Sequence, residues 1–180
     1  SSADDNMHLS SIWCAWGASD SCRVGTPVAP GYPPPFLLPR SVGAEPCFAR
    51  AQNTSAGCLQ AEPDDWVSLS SINLSTFNPP VYSKVMRIMV GPDIAASIVH
   101  MRWFNVLLAA TLLLLAYLTA LPGVRLALTV GWAIALLPIA LFTIASTNPS
   151  SWLIIGAGTY WAFLLAVLDR AWSTWQFRLA

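Results

Sequence analysis

Charged side chains are scarce in this sequence, which has nine Lys and Arg residues and nine Asp and Glu residues among 180, for a formal net charge of zero. The few cations form no basic cluster, so the electrostatic footprint of a nucleic-acid-binding protein is missing. Hydrophobic residues make up 55% of the chain, and the mean hydropathy is +0.55. This composition excludes an ordinary soluble domain and indicates a membrane protein.

The scarce charges are also unevenly placed, because eight of the nine acidic residues precede Trp103 and the apolar residues are concentrated after it. The sequence therefore predicts a polar first half and an apolar second half. The apolar stretches have no Asp, Glu, Lys or Arg at their centres. A pump or channel needs a proton or ion relay there, so a transporter is the least favoured class.

Cysteines are few and no CxxC pair is present. The four cysteines all lie in the polar half, with seven and ten intervening residues within the two closest pairs. An even number at short spacing favours disulfides in an oxidising, extracytoplasmic compartment. Of three possible pairings, Cys14 with Cys22 and Cys47 with Cys58 are favoured, because each closes a small loop containing Gly or Ser. A zinc site, with His8 as the nearest histidine, is the weaker alternative.

The start of the sequence has no initiating Met and no charged n-region followed by an apolar h-region. We expect a signal peptide or a first transmembrane helix to precede residue 1, unless the numbered sequence is a fragment. Either segment would deliver the polar half across the membrane.

Residues 1–77 are predicted to be a loop-rich extracytoplasmic region stapled by the two disulfides. Its first twenty residues have apolar side chains at helical spacing. Asp4 or Asp5 suits the N-cap of a short helix there, because a carboxylate accepts hydrogen bonds from first-turn N–H groups and meets the positive end of the helix dipole. Capping is thus the purely structural interpretation of the acidic pair.

Prolines dominate the next part of the polar half. They make residues 26–40 a poor match for any regular element, although residues 36–38 can pack as an extended segment. Residues 41–77 have only short apolar pieces. Disulfides and contacts with the membrane part are therefore expected to stabilise this region in place of a core of its own.

Residues 78–91 are predicted to form an amphipathic helix whose N-cap is Asn78, with prolines tolerated in its first turn. Apolar side chains recur at three- and four-residue spacing, while Ser83, Lys84 and Arg87 gather on the other side. Such a helix suits the membrane surface. Its cations face lipid headgroups or an anionic ligand, or in the simpler alternative extend into water.

Residues 92–180 are predicted to form a membrane region with three transmembrane helices, at residues 103–121, 126–145 and 152–168. Each stretch falls within the roughly 17–25 residues that cross a hydrocarbon core of about 30 Å. Pro138 lies inside the second stretch and is expected to kink it and to free a carbonyl.

The orientation of these spans follows from the cysteines, which put the polar half outside. The first span then runs inwards, Arg125 lies in a cytoplasmic turn, and residues 148–152 return to the outer face. Arg170 and Arg178 fall inside, as the positive-inside rule prefers. Asn105 lies just below the outer interface, where it is expected to hydrogen-bond a neighbouring helix or to line a cavity.

Four sequence blocks carry a family resemblance: DDNMHLSSIWC at residues 4–14, NPPVY at 78–82, MRWFNVLL at 101–108 and STNPSSW at 146–152. In order and spacing they resemble the N-terminal part of a bacterial family of predicted multi-pass membrane proteins, a domain of unknown function common in actinobacteria. The resemblance covers nearly the whole chain. It implies a transmembrane helix before the first block and more helices after the third span.

That family is similar to glycosyltransferases of the GT-C architecture, which take a sugar from a polyprenyl-phosphate carrier at the outer membrane face. The resemblance implies that Asp4 and Asp5 are the acidic residues of the first outer loop, which serve as general base and bind a divalent cation, Mg²⁺, Mn²⁺ or Ca²⁺. His8, one helical turn along, is implied to contact the lipid phosphate or to orient a carboxylate. No other cofactor is implied.

The resemblance further implies a set of phosphate-binding cations, Lys84, Arg87 and Arg102, and an outer substrate loop, Asn148, Ser150, Ser151 and Trp152. The implied partners are membrane lipids, the lipid-linked sugar donor and further transmembrane chains, with no nucleic acid. The alternative function is a noncatalytic accessory subunit that braces a larger membrane complex. Trp residues near the predicted interfaces fit that role equally well.

Overall fold

The computed structural model describes residues 5–27, 29–31, 34–44, 47, 53–55, 58, 65–69 and 80–179. Within these ranges the chain forms seven helices and three strands, so the predicted mainly helical class is confirmed. The chain divides into two compact units. The first has Ser1–Met101 and Thr147–Pro149, and the second has Arg102–Ser146 and Ser150–Ala180.

The first unit combines small helices with a three-stranded antiparallel sheet. Its elements are α1 (Asp5–Trp13), β1 (Arg23–Val24), β2 (Phe36–Pro39), α2 (Arg40–Gly43), β3 (Trp66–Leu69) and α3 (Pro80–Arg87). Helix α1 packs against α2 and α3. The residues buried along these elements include Ile12, Trp13, Leu38, Val42 and Met86. The unit therefore has a small apolar core, to which Val42 contributes. Most of residues 41–77 lie outside the described ranges, so the expectation that this stretch lacks a core of its own stays a prediction.

Phe36–Pro39 is the central strand of the sheet. It pairs antiparallel with β1 on one side and with β3 on the other, where Leu38 lies opposite Val67. Pro39, which has no N–H to donate, ends the strand. In sequence, residues 26–40 are a poor match for regular structure apart from an extended segment at residues 36–38, and that segment is this strand. It forms because both neighbouring strands supply backbone partners.

Two disulfides staple the first unit, Cys14–Cys22 and Cys47–Cys58. No described cysteine is free. The pairing favoured from loop closure is the one in the structure, and the zinc alternative is wrong because all four thiols are oxidised to disulfides.

Helix α3 is shorter than the predicted stretch of residues 78–91. It runs from Pro80 to Arg87 and continues into a hydrogen-bonded turn that ends with Val90 N donating to Arg87 O over 3.1 Å. Asn78 lies outside the described residues, so its capping role stays a prediction. Tyr82 and Met86 are buried on one face of α3, and the opposite face is exposed.

Two long helices begin in or follow the first unit: α4 (Ile94–Thr119) and α7 (Ser150–Leu179). Asp93 caps α4, since its Oδ1 accepts a hydrogen bond of 3.0 Å from Ala96 N. In length and composition, α4 and the Ser150–Leu168 part of α7 can each cross a membrane. They coincide with the first and third predicted spans.

The second predicted span is broken. The chain forms α5 (Pro122–Ala135) and α6 (Pro138–Ile144), which are bent by 89° relative to each other. The prediction of a single helix over residues 126–145 is therefore wrong, and Pro138 does more than kink it. Its ring clashes with the carbonyl four residues back and it has no N–H, so the helix stops and restarts. The pair amounts to a third crossing only as one broken span.

Asn105 is the polar centre of the second unit and is fully buried. Its Nδ2 donates to Ser146 O over 2.7 Å, and Trp152 Nε1 donates to its Oδ1 over 3.1 Å. The predicted hydrogen-bonding role of Asn105 is confirmed. Around it, Ala109, Ile144 and Ile155 form a buried apolar cluster.

Arg125 organises the turn between α4 and α5. Its Nε donates to Ala120 O and its Nη2 to Leu118 O, each over 3.2 Å. Its guanidinium also lies 5.5 Å from the centre of the Tyr117 ring. Carbonyls that a helix C-terminus leaves without partners are thus satisfied by a cation of the same chain.

Candidate functional site

The acidic pair predicted to be catalytic lies at the edge of the described residues. Asp4 is outside them, and Asp5 is the first residue of α1 with its side chain outside them. His8 is half-buried on the same helix. The general-base and cation-binding roles of these residues stay predictions. In the part of the chain that the structure describes, no three His, Cys, Asp or Glu residues form a group suited to a metal ion.

The Cys14–Cys22 disulfide closes a loop that ends in a tight turn. Ser19 N donates to Cys22 O over 2.7 Å, and Cys22 N donates back to Ser19 O over 3.1 Å. The disulfide and this pair of backbone bonds together fix the segment from Ser19 to Ser21, with Asp20 between them. Three polar side chains are thus presented on a rigid support.

Arg87, the last residue of α3, reaches this turn. Its Nη2 donates to Ser21 Oγ over 3.0 Å and to Ser19 Oγ over 3.2 Å. Its guanidinium lies 5.9 Å from the centre of the Trp16 ring. The guanidinium is therefore held in place by the turn, and its buried Nε is a donor without a partner among the described residues.

A cleft of about 510 Å³ opens beside Arg87 within the first unit. It combines one cation, one carboxylate, two hydroxyls and two indoles with small apolar groups. The lining residues are Trp13, Ser19, Asp20, Ser21, Pro39, Trp66, Arg87, Val90, Gly91, Pro92 and Ile94. This volume and mixture are typical of a site for a small molecule with both charged and apolar parts.

The Trp66 side of the cleft is also braced. The guanidinium of Arg23 stacks over the Trp66 ring, 4.0 Å from its centre. Such a cation–π contact holds the indole in one orientation. Trp66 remains 37% exposed, so it is ordered and still accessible to a ligand.

The partial burial of Arg87 favours an anion beside its guanidinium. Burial lowers the pKa of the Arg87 guanidinium below its ordinary value, because removal from water disfavours the charged form. An anion that accepts hydrogen bonds from the guanidinium offsets this desolvation. Phosphate fits the geometry, since a guanidinium binds two of its oxygens side by side.

The other two predicted phosphate ligands do not line this cleft. Lys84 is exposed on α3, one turn before Arg87. Arg102 belongs to the second unit. Of the three cations chosen from the sequence, Arg87 alone lines the cleft.

The four residues of the predicted outer substrate loop differ in burial and in their hydrogen bonds. Trp152 donates its only polar hydrogen to Asn105. Ser151 is fully buried, and its Oγ has no hydrogen-bond partner among the described residues. Asn148 is half-buried and Ser150 is exposed. Trp152 therefore has a packing role.

Sequence reasoning missed Ser19, Asp20, Ser21 and Trp66 as lining residues. The available signal was a Ser-Asp-Ser run inside the short loop between Cys14 and Cys22. A disulfide-closed loop orders exposed polar side chains that would otherwise be mobile. Nothing in the sequence indicated that Arg87 is their partner, because the contact joins residues more than sixty positions apart.

Comparisons with known proteins give one family. The family described as "Predicted membrane protein (DUF2142)" matches residues 1–178. No curated protein and no solved structure matches the chain significantly.

Proposed function

The chain belongs to the DUF2142 family of predicted membrane proteins, and on that premise we propose that it is a GT-C-like membrane glycosyltransferase or the N-terminal portion of one. It transfers a sugar from a polyprenyl-phosphate donor at the outer face of the cell membrane. The observation that carries the proposal is Arg87, aligned by the Ser19 and Ser21 hydroxyls in a cleft.

The position of Arg87 along the chain supports a lipid-linked ligand. Six residues after Arg87 comes Asp93, the cap of α4, a helix long and apolar enough to cross a membrane. The phosphate of a polyprenyl carrier lies where the hydrocarbon of the membrane ends. A cation close in sequence to the first turn of such a helix is suited to meet it.

In the proposed reaction, the oxygen of an acceptor hydroxyl attacks the anomeric carbon of the donor sugar. The bond between that carbon and the phosphate oxygen breaks, and its electron pair stays on the departing polyprenyl phosphate. The hydroxyl proton passes to the carboxylate of Asp4 or Asp5, with His8 as an orienting group. Arg87 stabilises the negative charge that develops on the phosphate.

A divalent cation, where bound, would neutralise part of the same charge. Its proposed ligands are Asp4 and Asp5, whose carboxylates are outside the described residues. Arg87 would share this role with the cation.

Helix α1 connects the two parts of the proposed site. Trp13 lines the cleft, and Asp5 begins the same helix, about 12 Å away along the axis at 1.5 Å per residue.

The test is incorporation of labelled hexose from a polyprenyl-phosphate donor into envelope glycan, in native membranes carrying each variant. Asp4→Asn or Asp5→Asn is expected to lower the rate by roughly 10²–10⁴-fold, the usual contribution of a general base. Arg87→Gln should lower it together with donor affinity, and Arg87→Lys should restore part of both.

The matched control is Asp65→Asn, an exposed carboxylate of the first unit that does not line the cleft. It should leave incorporation unchanged. Normal glycan at normal protein levels in all of the Asp4, Asp5 and Arg87 variants would contradict the proposal. That result would favour the noncatalytic accessory subunit.

A further inference from the structure

We infer that Asp20 binds the hydroxyls of a sugar whose phosphate lies on Arg87, so that the cleft recognises a glycosyl phosphate as one unit. The inference rests on the proposed function and names the part of the donor that this site binds. Asp20 lies at the tip of the turn, between the two serines that accept hydrogen bonds from Arg87. It lines the same cleft as Arg87.

The Asp20 side chain makes no polar contact that would stabilise the described part of the fold. It is exposed, and its carboxylate makes no hydrogen bond or ion pair with any residue that the structure describes. Arg87 bonds to the serines on both sides of it and not to Asp20 itself. A cation and a carboxylate thus share a cleft without neutralising each other, and each is available to a ligand.

This arrangement disfavours a bare anion. A carboxylate near a bound phosphate repels it, and the repulsion is stronger where solvent is partly excluded. The repulsion is offset when the ligand presents hydrogen-bond donors to the carboxylate. Sugar hydroxyls are such donors, and an ionised carboxylate accepts charge-assisted hydrogen bonds from them.

An exposed indole completes the recognition. Trp66 lines the cleft beside these polar groups and is 37% exposed, whereas Trp13 is buried. A pyranose ring has C–H groups on its faces that pack against an indole while its hydroxyls point outward. A glycosyl phosphate matches all three groups. Its phosphate binds Arg87, its hydroxyls bind Asp20, and a face of its ring packs on Trp66.

The experiment compares two probes, inorganic phosphate and glucose 1-phosphate, by calorimetric titration of the full chain in detergent micelles. Wild type should bind glucose 1-phosphate about tenfold more tightly than phosphate, since one charge-assisted hydrogen bond is worth about that factor. Asp20→Asn should lose this preference and bind phosphate as well as wild type or better. Arg87→Gln should weaken both probes, and Asp65→Asn should change neither.

A third probe identifies the source of the glycosyl phosphate. Polyprenyl-phosphate glucose in nanodiscs should compete with glucose 1-phosphate and bind more tightly if the donor is lipid-linked. Competition no stronger than that of glucose 1-phosphate would overturn the lipid-linked donor and leave a soluble sugar phosphate as the ligand.

The two variants distinguish the role of Asp20 from the phosphate site at Arg87. Unchanged glucose 1-phosphate binding in Asp20→Asn, with loss in Arg87→Gln, would overturn the role of Asp20 and leave the phosphate site standing. Unchanged binding in Arg87→Gln, or no binding of either probe to wild type, would overturn the phosphate site and the inference with it.

Discussion

Trp152 Nε1 donates a hydrogen bond to Asn105 Oδ1, 3.1 Å away, and so ties the first turn of α7 to the second unit's part of α4. Asn105 is fully buried and also donates to Ser146 O, just beyond the end of α6. One amide therefore joins three helical segments. In an apolar surrounding, each of these polar groups is costly to leave without a partner.

The first prediction concerns this amide. Asn105→Leu, close to it in size, removes both hydrogen bonds and is expected to lower the free energy of unfolding by about 1–3 kcal/mol. Trp152→Phe removes one of them and should cost about half as much. Unfolding in mixed micelles of increasing SDS content measures both changes. An Asn105→Leu protein as stable as wild type would show that the two bonds contribute nothing net.

The second prediction distinguishes the effects of the two disulfides on stability and on phosphate binding. Cys14→Ser with Cys22→Ser, and Cys47→Ser with Cys58→Ser, should each lower the free energy of unfolding by about 3 kcal/mol, because each bond reduces the conformational entropy of the unfolded chain. Only the first pair should also weaken phosphate binding, since Ser19 and Ser21 lose their support beside Arg87. Equal phosphate affinity in the two double variants, measured by calorimetry, would contradict the role given to the closed loop.

The third prediction concerns the bend at Pro138. Pro138→Ala supplies an N–H and removes the ring clash, so α5 and α6 should straighten. Spin labels on cysteines introduced at the exposed positions Leu126 and Phe142 report the change. At 1.5 Å per residue their backbones should move from about 17 Å apart across a right-angle bend to about 24 Å in a straight helix. The native cysteines do not interfere because all four are in disulfides.

An unchanged label distance in the Pro138→Ala protein would mean that packing alone imposes the bend. A matched control is Pro122→Ala, at the first position of α5, where proline is compatible with the helix. This variant should leave the distance as it is in wild type.

The fourth prediction concerns topology. Thr147–Pro149 belong to the same compact unit as Ser1–Met101, so we expect the bent pair α5–α6 to act as one broken span that returns the chain to the side of the first unit. Cysteines introduced at the exposed positions Thr26, Pro122 and Ser150 test this with a membrane-impermeant maleimide. Thr26→Cys and Ser150→Cys should be labelled on intact cells, and Pro122→Cys only after lysis.

Two results would contradict this topology. Labelling of Pro122→Cys together with Ser150→Cys would make the bent pair a re-entrant loop. Protection of Thr26→Cys on intact cells would put the first unit in the cytoplasm and contradict the extracytoplasmic assignment from the cysteines.

Much of the membrane part could be predicted from the sequence, because long apolar runs bounded by Pro and Asp leave few alternatives to helices. The angle between α5 and α6 could not be predicted in this way. Pro138 marked a disturbance, but proline alone does not determine an angle. The helices around the bend also make contacts distant in sequence, such as Trp132 Nε1 donating to Gly158 O over 3.1 Å, which no local pattern reveals.

The polar part was less predictable because its structure comes from pairings distant in sequence. Phe36–Pro39 is too short and too close to prolines to indicate a strand, and it becomes one through partners on both sides. The cleft also depends on contacts between residues that are distant in sequence. Arg87 was identifiable as a cation on an amphipathic helix, whereas its serine partners became visible only once the chain was folded.

The turn held by Arg125 bears on how the protein is made. Its side chain bonds to Leu118 O and Ala120 O, which belong to the end of α4 and the residue after it. Both acceptors precede Arg125 in the chain, so its side chain can make these contacts as soon as residue 125 has been synthesised, before any residue of α7 exists.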